Sequence, residues 1–183
     1  YGGGIMLDPV EGGLDDLLGP ARITVAYMLV LDPQNEPFPV QVPRQVGGMQ
    51  VIEIQQISYP FFIDVRSDGM SDESAIVANL PALTLQWASP LQVDEEANGD
   101  REVEVLVESS PLSWLRSEVD VNPDMQRYPE LGFPIEGEQA ARPLAVSVRG
   151  SFESYYAEQP SPFEVTPEAT QGAPPTPTPE GGA

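Results

Sequence analysis

Ile5-Met6-Leu7-Asp8-Pro9, Leu14-Asp15-Asp16-Leu17-Leu18-Gly19-Pro20 and Ile23-Thr24-Val25-Ala26-Tyr27-Met28-Leu29-Val30-Leu31 follow one another at the start of the chain. The first is an apolar triplet closed by an Asp-Pro turn signal, as a buried strand ends. The second spaces its leucines as a helix does and stops at Gly-Pro, a helix end signal. So short a helix needs packing rather than propensity to hold it. The third is a continuous apolar run ending at Asp32-Pro33, and reads as one buried strand. Strand, short helix and strand in this order predict an α/β layer with a parallel pair.

Downstream, β character dominates. Residues 33–48 carry prolines at 33, 37, 39 and 43 and end in Gly47-Gly48, and read as an extended loop. Met49 to Ile57 alternates and is expected to be a strand, followed by the aromatic stretch Tyr59-Pro60-Phe61-Phe62-Ile63. Ser71 looks like an N-cap, with Asp72 and Glu73 in the first turn of a short helix closed by Pro81. Leu83, Leu85, Trp87, Leu91 and Val93 then alternate on one side of Ala97-Asn98-Gly99, with Val103, Val105 and Val107 on the other. This predicts a hairpin over 83–108. A three-residue loop with Gly99 left-handed pairs Val93 with Val103 and Glu95 with Arg101, whereas a two-residue loop would bury Glu104. Residues 117–142 read as a long irregular excursion, and Pro143 to Val148 as a returning strand.

Composition narrows the chemistry sharply. The 183 residues include no Cys, no His and no Lys, and eight Arg face 29 Asp and Glu, a formal net charge of −21. Thiol nucleophiles, imidazole bases, Schiff-base lysines and His or Cys metal ligands are therefore unavailable. The acidity disfavours nucleic acid and anionic membrane surfaces, and suits basic protein surfaces, cations or neutral polymers. Asp94 to Glu102 superficially matches a calcium loop, but Val105 stands where the bidentate Glu belongs, and the hairpin explains the same residues. Ser110 sits in Glu-Ser-Ser-Pro-Leu, not in a nucleophile elbow, and no base exists to serve it. No catalytic, cofactor-binding or metal-binding residue is expected.

The organisation reads as a folded domain over 1–158 and a Pro/Thr-rich linker over 159–183, where seven of 25 residues are Pro. No window is long and apolar enough to span a bilayer. The chain opens at Tyr1-Gly2-Gly3-Gly4 and enters an apolar triplet at once, so it is expected to be a piece of a longer protein.

Several motifs occur in a telling order. They are Gly3-Gly4-Ile5-Met6-Leu7-Asp8-Pro9, the leucines of 14–18, Val30-Leu31-Asp32, then Leu106-Val107-Glu108-Ser109-Ser110 through Ser113-Trp114. Pro143 to Gly150 and Phe152-Glu153-Ser154-Tyr155 complete the set. Over about residues 2–157 the chain resembles the Gldg-like auxiliary component of ABC-type transport systems, a gliding-motility-associated family. The resemblance implies a soluble α/β domain, a partial sheet of Rossmann-like or amidotransferase-like topology, to which the residue pattern itself adds a β-rich C-terminal half (hairpin 83–108) and a disordered Pro-rich tail. It implies a non-enzymatic companion of an ABC permease and ATPase, on the extracytoplasmic face of the cell membrane. Membrane helices absent from this chain would tether it there. Trp114, Tyr155, Tyr156 and Phe163 are then the candidate contacts for the membrane partner, with no cofactor. The alternative is a carbohydrate- or envelope-binding module using Trp114 and the 117–142 loop.

Overall fold

The computed structural model describes residues 6–8, 13–154 and 157. The chain divides into two units, Tyr1–Phe152 and Glu153–Ala183. The expected linker over 159–183 lies outside the described residues, as do Tyr155, Tyr156 and Phe163. The described residues are mostly β, with 38% strand and 8% helix. None of their helices is long and apolar enough to cross a membrane.

Helix α1 (Leu14–Leu18) forms as expected and runs into a 3₁₀ turn at Gly19–Ala21. Ten strands follow: β1 (Ile23–Val25), β2 (Leu29–Leu31), β3 (Phe38–Val46), β4 (Met49–Ile57), β5 (Phe62–Val65), β6 (Leu83–Gln86), β7 (Leu91–Val93), β8 (Glu102–Glu108), β9 (Trp114–Arg116) and β10 (Pro143–Arg149). They pair as β1 with β7, β2 with β9, β3 with β4, β5 with β6 and β8 with β10, every ladder antiparallel. The parallel pair expected from the first 31 residues is not among these ladders. Among the described residues, Met6 makes an antiparallel bridge to Asp120. The apolar run 23–31 is broken at Ala26–Met28, where Tyr27 is exposed. Its halves serve different neighbours: Ile23 lies opposite Val93, and Leu31 opposite Trp114.

The expected hairpin over 83–108 is also corrected. Its strands exist, but Val93 pairs with Ile23, while Val103 pairs with Val148. The cause is Asn98, which is fully buried and donates from Nδ2 to the Ala21 carbonyl at 3.0 Å. That contact folds the 94–101 turn onto the start of β1, so β8 departs toward β10. Gly99 keeps out of the left-handed region. Arg101 turns to the Pro20 carbonyl (2.7 Å) and the Phe152 ring rather than to Glu95. The short helix expected after Ser71 is likewise replaced by turns, because the Ser71 hydroxyl bonds Glu104 at 2.7 Å instead of capping.

Two apolar clusters flank β2 and β9. Leu29, Leu31 and Trp114 join Tyr59, Phe61, Phe62, Val121 and Phe133 on one side. Val30 and Leu115 join Ile63, Val65, Val77, Leu106 and Val107 on the other. Successive residues of a strand point to opposite faces, so this central ladder supplies both cores. It is the reason Leu29-Val30-Leu31 is apolar without alternation.

Tyr59 joins the aromatic cluster to the 117–142 segment, its hydroxyl donating to the Val121 carbonyl at 2.9 Å. Burial, the largest influence, pushes its phenol above the ordinary 10.0. The folded state thus favours the neutral ring. That contribution is complete below pH 10.0 and is lost as pH rises through the higher folded value. Tyr59→Phe is expected to cost about 1–2 kcal/mol at neutral pH by orphaning the carbonyl. It should also flatten the loss of stability above pH 10.0, as urea unfolding across that range would show.

Candidate interaction surface

The segment read as a loop contains β3, which forms a long exposed ribbon with β4. Gly47 and Gly48 take φ of +60° and +83°, a two-residue turn with both central residues left-handed. Such a turn matches strand twist and admits glycine at no steric cost. It joins β3 and β4 in register from Phe38 opposite Ile57 to Val46 opposite Met49. Each strand is nine residues long, and exposure is nearly continuous beyond the first few residues of β3.

The ribbon is rooted firmly. Phe38 lies 5.1 Å from the Tyr59 ring and 5.5 Å from Phe62, and Tyr59 packs edge-on to Phe62 at 4.9 Å. Asn35, just before β3, accepts the Tyr59 amide at 2.8 Å and donates to the Ser58 hydroxyl at 3.0 Å. One amide side chain thereby clamps the strand going out to the strand coming back.

Residues opposite each other in an antiparallel pair share a face. One face carries Val42, Val46, Met49 and Val51 around the ion pair of Arg44 with Glu53 at 3.1 Å. The other carries Pro39, Pro43, Ile52 and Ile54 among Gln41, Gln45, Gln50 and Gln56. Ile52 and Ile54 are each 68% exposed and Met49 is 71% exposed. A hairpin apolar on both faces and packed on neither is only marginally stable alone. Exposed apolar surface of this kind makes the ribbon a candidate interaction site.

The motif residues cluster elsewhere, in a hydrogen-bonded network. The Asp32 carboxylate is fully buried and accepts the Ser110 amide at 2.6 Å, the Ser110 hydroxyl at 2.8 Å and the Gln34 amide at 2.8 Å. Ser109 and Ser113 share a hydroxyl contact of 2.7 Å. Ser113 then donates to the Ala140 carbonyl, and Ser109 accepts the Arg142 amide. These serines fasten the end of the long loop to the turn before β9. A small cavity of about 40 Å³ lies beside them, lined by Asp32, Asp64, Arg66 and Glu108 among others.

Trp114 is fully buried in the aromatic core, which corrects its reading as a partner contact. A more open groove of about 490 Å³, formed by Tyr128, Leu131, Phe133 and Ile135, does not include it. Sequence reasoning missed the ribbon. The signal was Gly47-Gly48 between Val42-x-x-x-Val46 and Met49-x-Val51.

A family model described as ABC-type uncharacterized transport system matches residues 1–178. No curated protein and no solved structure matches the chain.

Proposed function

The chain belongs to this family of auxiliary ABC-type transport components, and from that premise we propose that it is a non-enzymatic docking domain. The partner is a membrane subunit of the same complex, a permease or its equivalent, and the site is the β3–β4 ribbon. In this reading the domain works on the extracytoplasmic face, tethered by segments other than this chain, as the Gldg-like resemblance implies. The described ladders then form part of a larger α/β domain of Rossmann-like or amidotransferase-like topology. Tyr155, Tyr156 and Phe163 add contacts beside the Pro-rich tail.

The observation that carries the reading is the rooted ribbon with large apolar side chains exposed on both faces. The set of reactive side chains agrees with it, being confined to carboxylates, hydroxyls and Arg. Arg44 and Glu53 are the only charged residues between 38 and 57, so the ribbon is neutral in a chain of net charge −21. An apolar partner can therefore approach it without crossing an uncompensated field.

The test is a paired measurement on Ile52→Ser/Ile54→Ser. Both side chains are exposed, so thermal stability is expected to change by less than about 1 kcal/mol. Binding to the purified permease subunit, measured by surface plasmon resonance, is expected to weaken about tenfold or more. Unchanged binding by this variant and by one with the ribbon cut back to its root would remove the proposal.

A further inference from the structure

The two edges of the ribbon are not equivalent. Val46 and Met49 close a two-residue turn, so they form a hydrogen-bonded pair, and the ladder alternates from there. Arg44, Val42 and Val40 on β3, with Val51, Glu53 and Gln55 on β4, direct their amides inward. The intervening residues direct theirs outward: Pro39, Gln41, Pro43 and Gln45 on β3, and Gln50, Ile52, Ile54 and Gln56 on β4. Two of the four outward positions on β3 are proline, which has no N–H, so that edge is blocked. All four on β4 are donors, and among the described strands β4 has no neighbour but β3. One edge is closed and the other is open.

We propose that the open edge of β4 pairs with β4 of a second copy of this chain, making a four-stranded antiparallel sheet about a two-fold axis at Glu53. The sequence of the edge is self-complementary about that residue. In Gln50-Val51-Ile52-Glu53-Ile54-Gln55-Gln56, reversal sets Ile52 against Ile54 and Gln50 against Gln56. These are the outward-directed pairs that an antiparallel ladder would hydrogen-bond. The four isoleucines then lie side by side on one face, where each now stands exposed. An isologous interface requires this kind of self-match.

Charge permits the approach. All of the net charge lies outside residues 38–57, where Arg44 and Glu53 cancel. In the paired arrangement the roots of the two ribbons sit at opposite ends, about 27 Å apart at strand rise. That exceeds the Debye length of about 8 Å at physiological salt, so the acidic bodies are screened from one another. The one opposing contact is Glu53 facing Glu53, each already held by its own Arg44. Pairing also turns a marginal two-stranded ribbon into a sheet of independently stable size. The contact area is small, which places association in the micromolar to millimolar range.

The absence of cysteine makes the register directly readable. Residue 53 would face its own copy in a non-hydrogen-bonded pair with Cα atoms about 4.5 Å apart, within disulfide range. Glu53→Cys is expected to form a disulfide-linked dimer under mild oxidation. Val51→Cys and Gln55→Cys are expected to stay monomeric alone and to cross-link when mixed. By sedimentation of the full chain, Glu53→Gln should tighten self-association severalfold. Gln50→Pro should weaken it about tenfold, while Gln45→Pro on the blocked edge should leave it unchanged. Val51→Cys cross-linking alone as readily as Glu53→Cys would overturn the register. A strictly monomeric wild-type chain, with no cross-link at position 53, would overturn the pairing itself. Permease docking is read separately, by surface plasmon resonance on Gln50→Pro, which weakens pairing and leaves the exposed Ile52 and Ile54 in place.

Discussion

Trp114→Ala is expected to lower stability by about 3–5 kcal/mol, the range for emptying a large aromatic from a packed core. For a chain of this size that is a fall in melting temperature of roughly 6–20 °C. The indole has no accessible surface and lies among Leu31, Tyr59, Phe61, Phe62 and Phe133. Its removal withdraws contacts from several rings at once, and β9 is paired tightly enough to β2 that the site cannot collapse freely. Trp114→Phe separates packing from polarity. The indole Nε1 is buried without a hydrogen-bond partner, so phenylalanine gives up volume and no hydrogen bond. It should cost only about 1–2 kcal/mol. Were Trp114 a contact residue, alanine would leave the melting temperature alone and weaken binding instead. Differential scanning calorimetry of the two variants distinguishes these outcomes.

Asp32→Ala is expected to cost about 2–4 kcal/mol. The carboxylate accepts three hydrogen bonds, two of them from Ser110, seventy-eight residues away in sequence. Deleting it leaves the Ser110 and Gln34 amides without acceptors in a buried site, and the penalty for stranded donors exceeds the net worth of the bonds themselves. Asp32→Asn keeps the shape but can present an N–H to one of these donors, so it should recover only part of the loss. Urea unfolding of both variants checks the order: wild type, then Asn, then Ala. Equal stability of all three would mean that the Asp32–Ser110 fastening is dispensable.

The same pair shows what could be read from the sequence. Val30-Leu31-Asp32 and Ser109-Ser110 through Ser113-Trp114 were recognisable as motifs, and the fold brings them into one hydrogen-bonded network. Strand character over 49–57, 83–86, 91–93 and 143–149 was likewise legible from alternation. Which strand meets which was not. A period of two assigns faces and says nothing of partners, and here most partners are distant: β1 with β7, β2 with β9, β8 with β10. The 83–108 hairpin failed on a single side chain, Asn98, whose burial against Ala21 outweighs the local turn preference. The ribbon was hidden by Pro39 and Pro43. Proline reads as a loop signal, but it is tolerated where an edge strand turns its N–H positions outward. The parallel pair expected from 5–31 depended on treating 23–31 as one strand, and Ala26–Met28 interrupts it.

The turn at Gly47-Gly48 divides the chain into two stretches that are sewn together elsewhere. β1 and β2 lie before it, and their partners β7 and β9 lie after it. The backbone could therefore be severed or lengthened at this tip while two ladders and the Asp32–Ser110 fastening still hold the halves together. The tip is a natural port for a fluorophore, an affinity handle or a guest domain, and it would hold that cargo at the far end of a stalk rooted in the aromatic cluster.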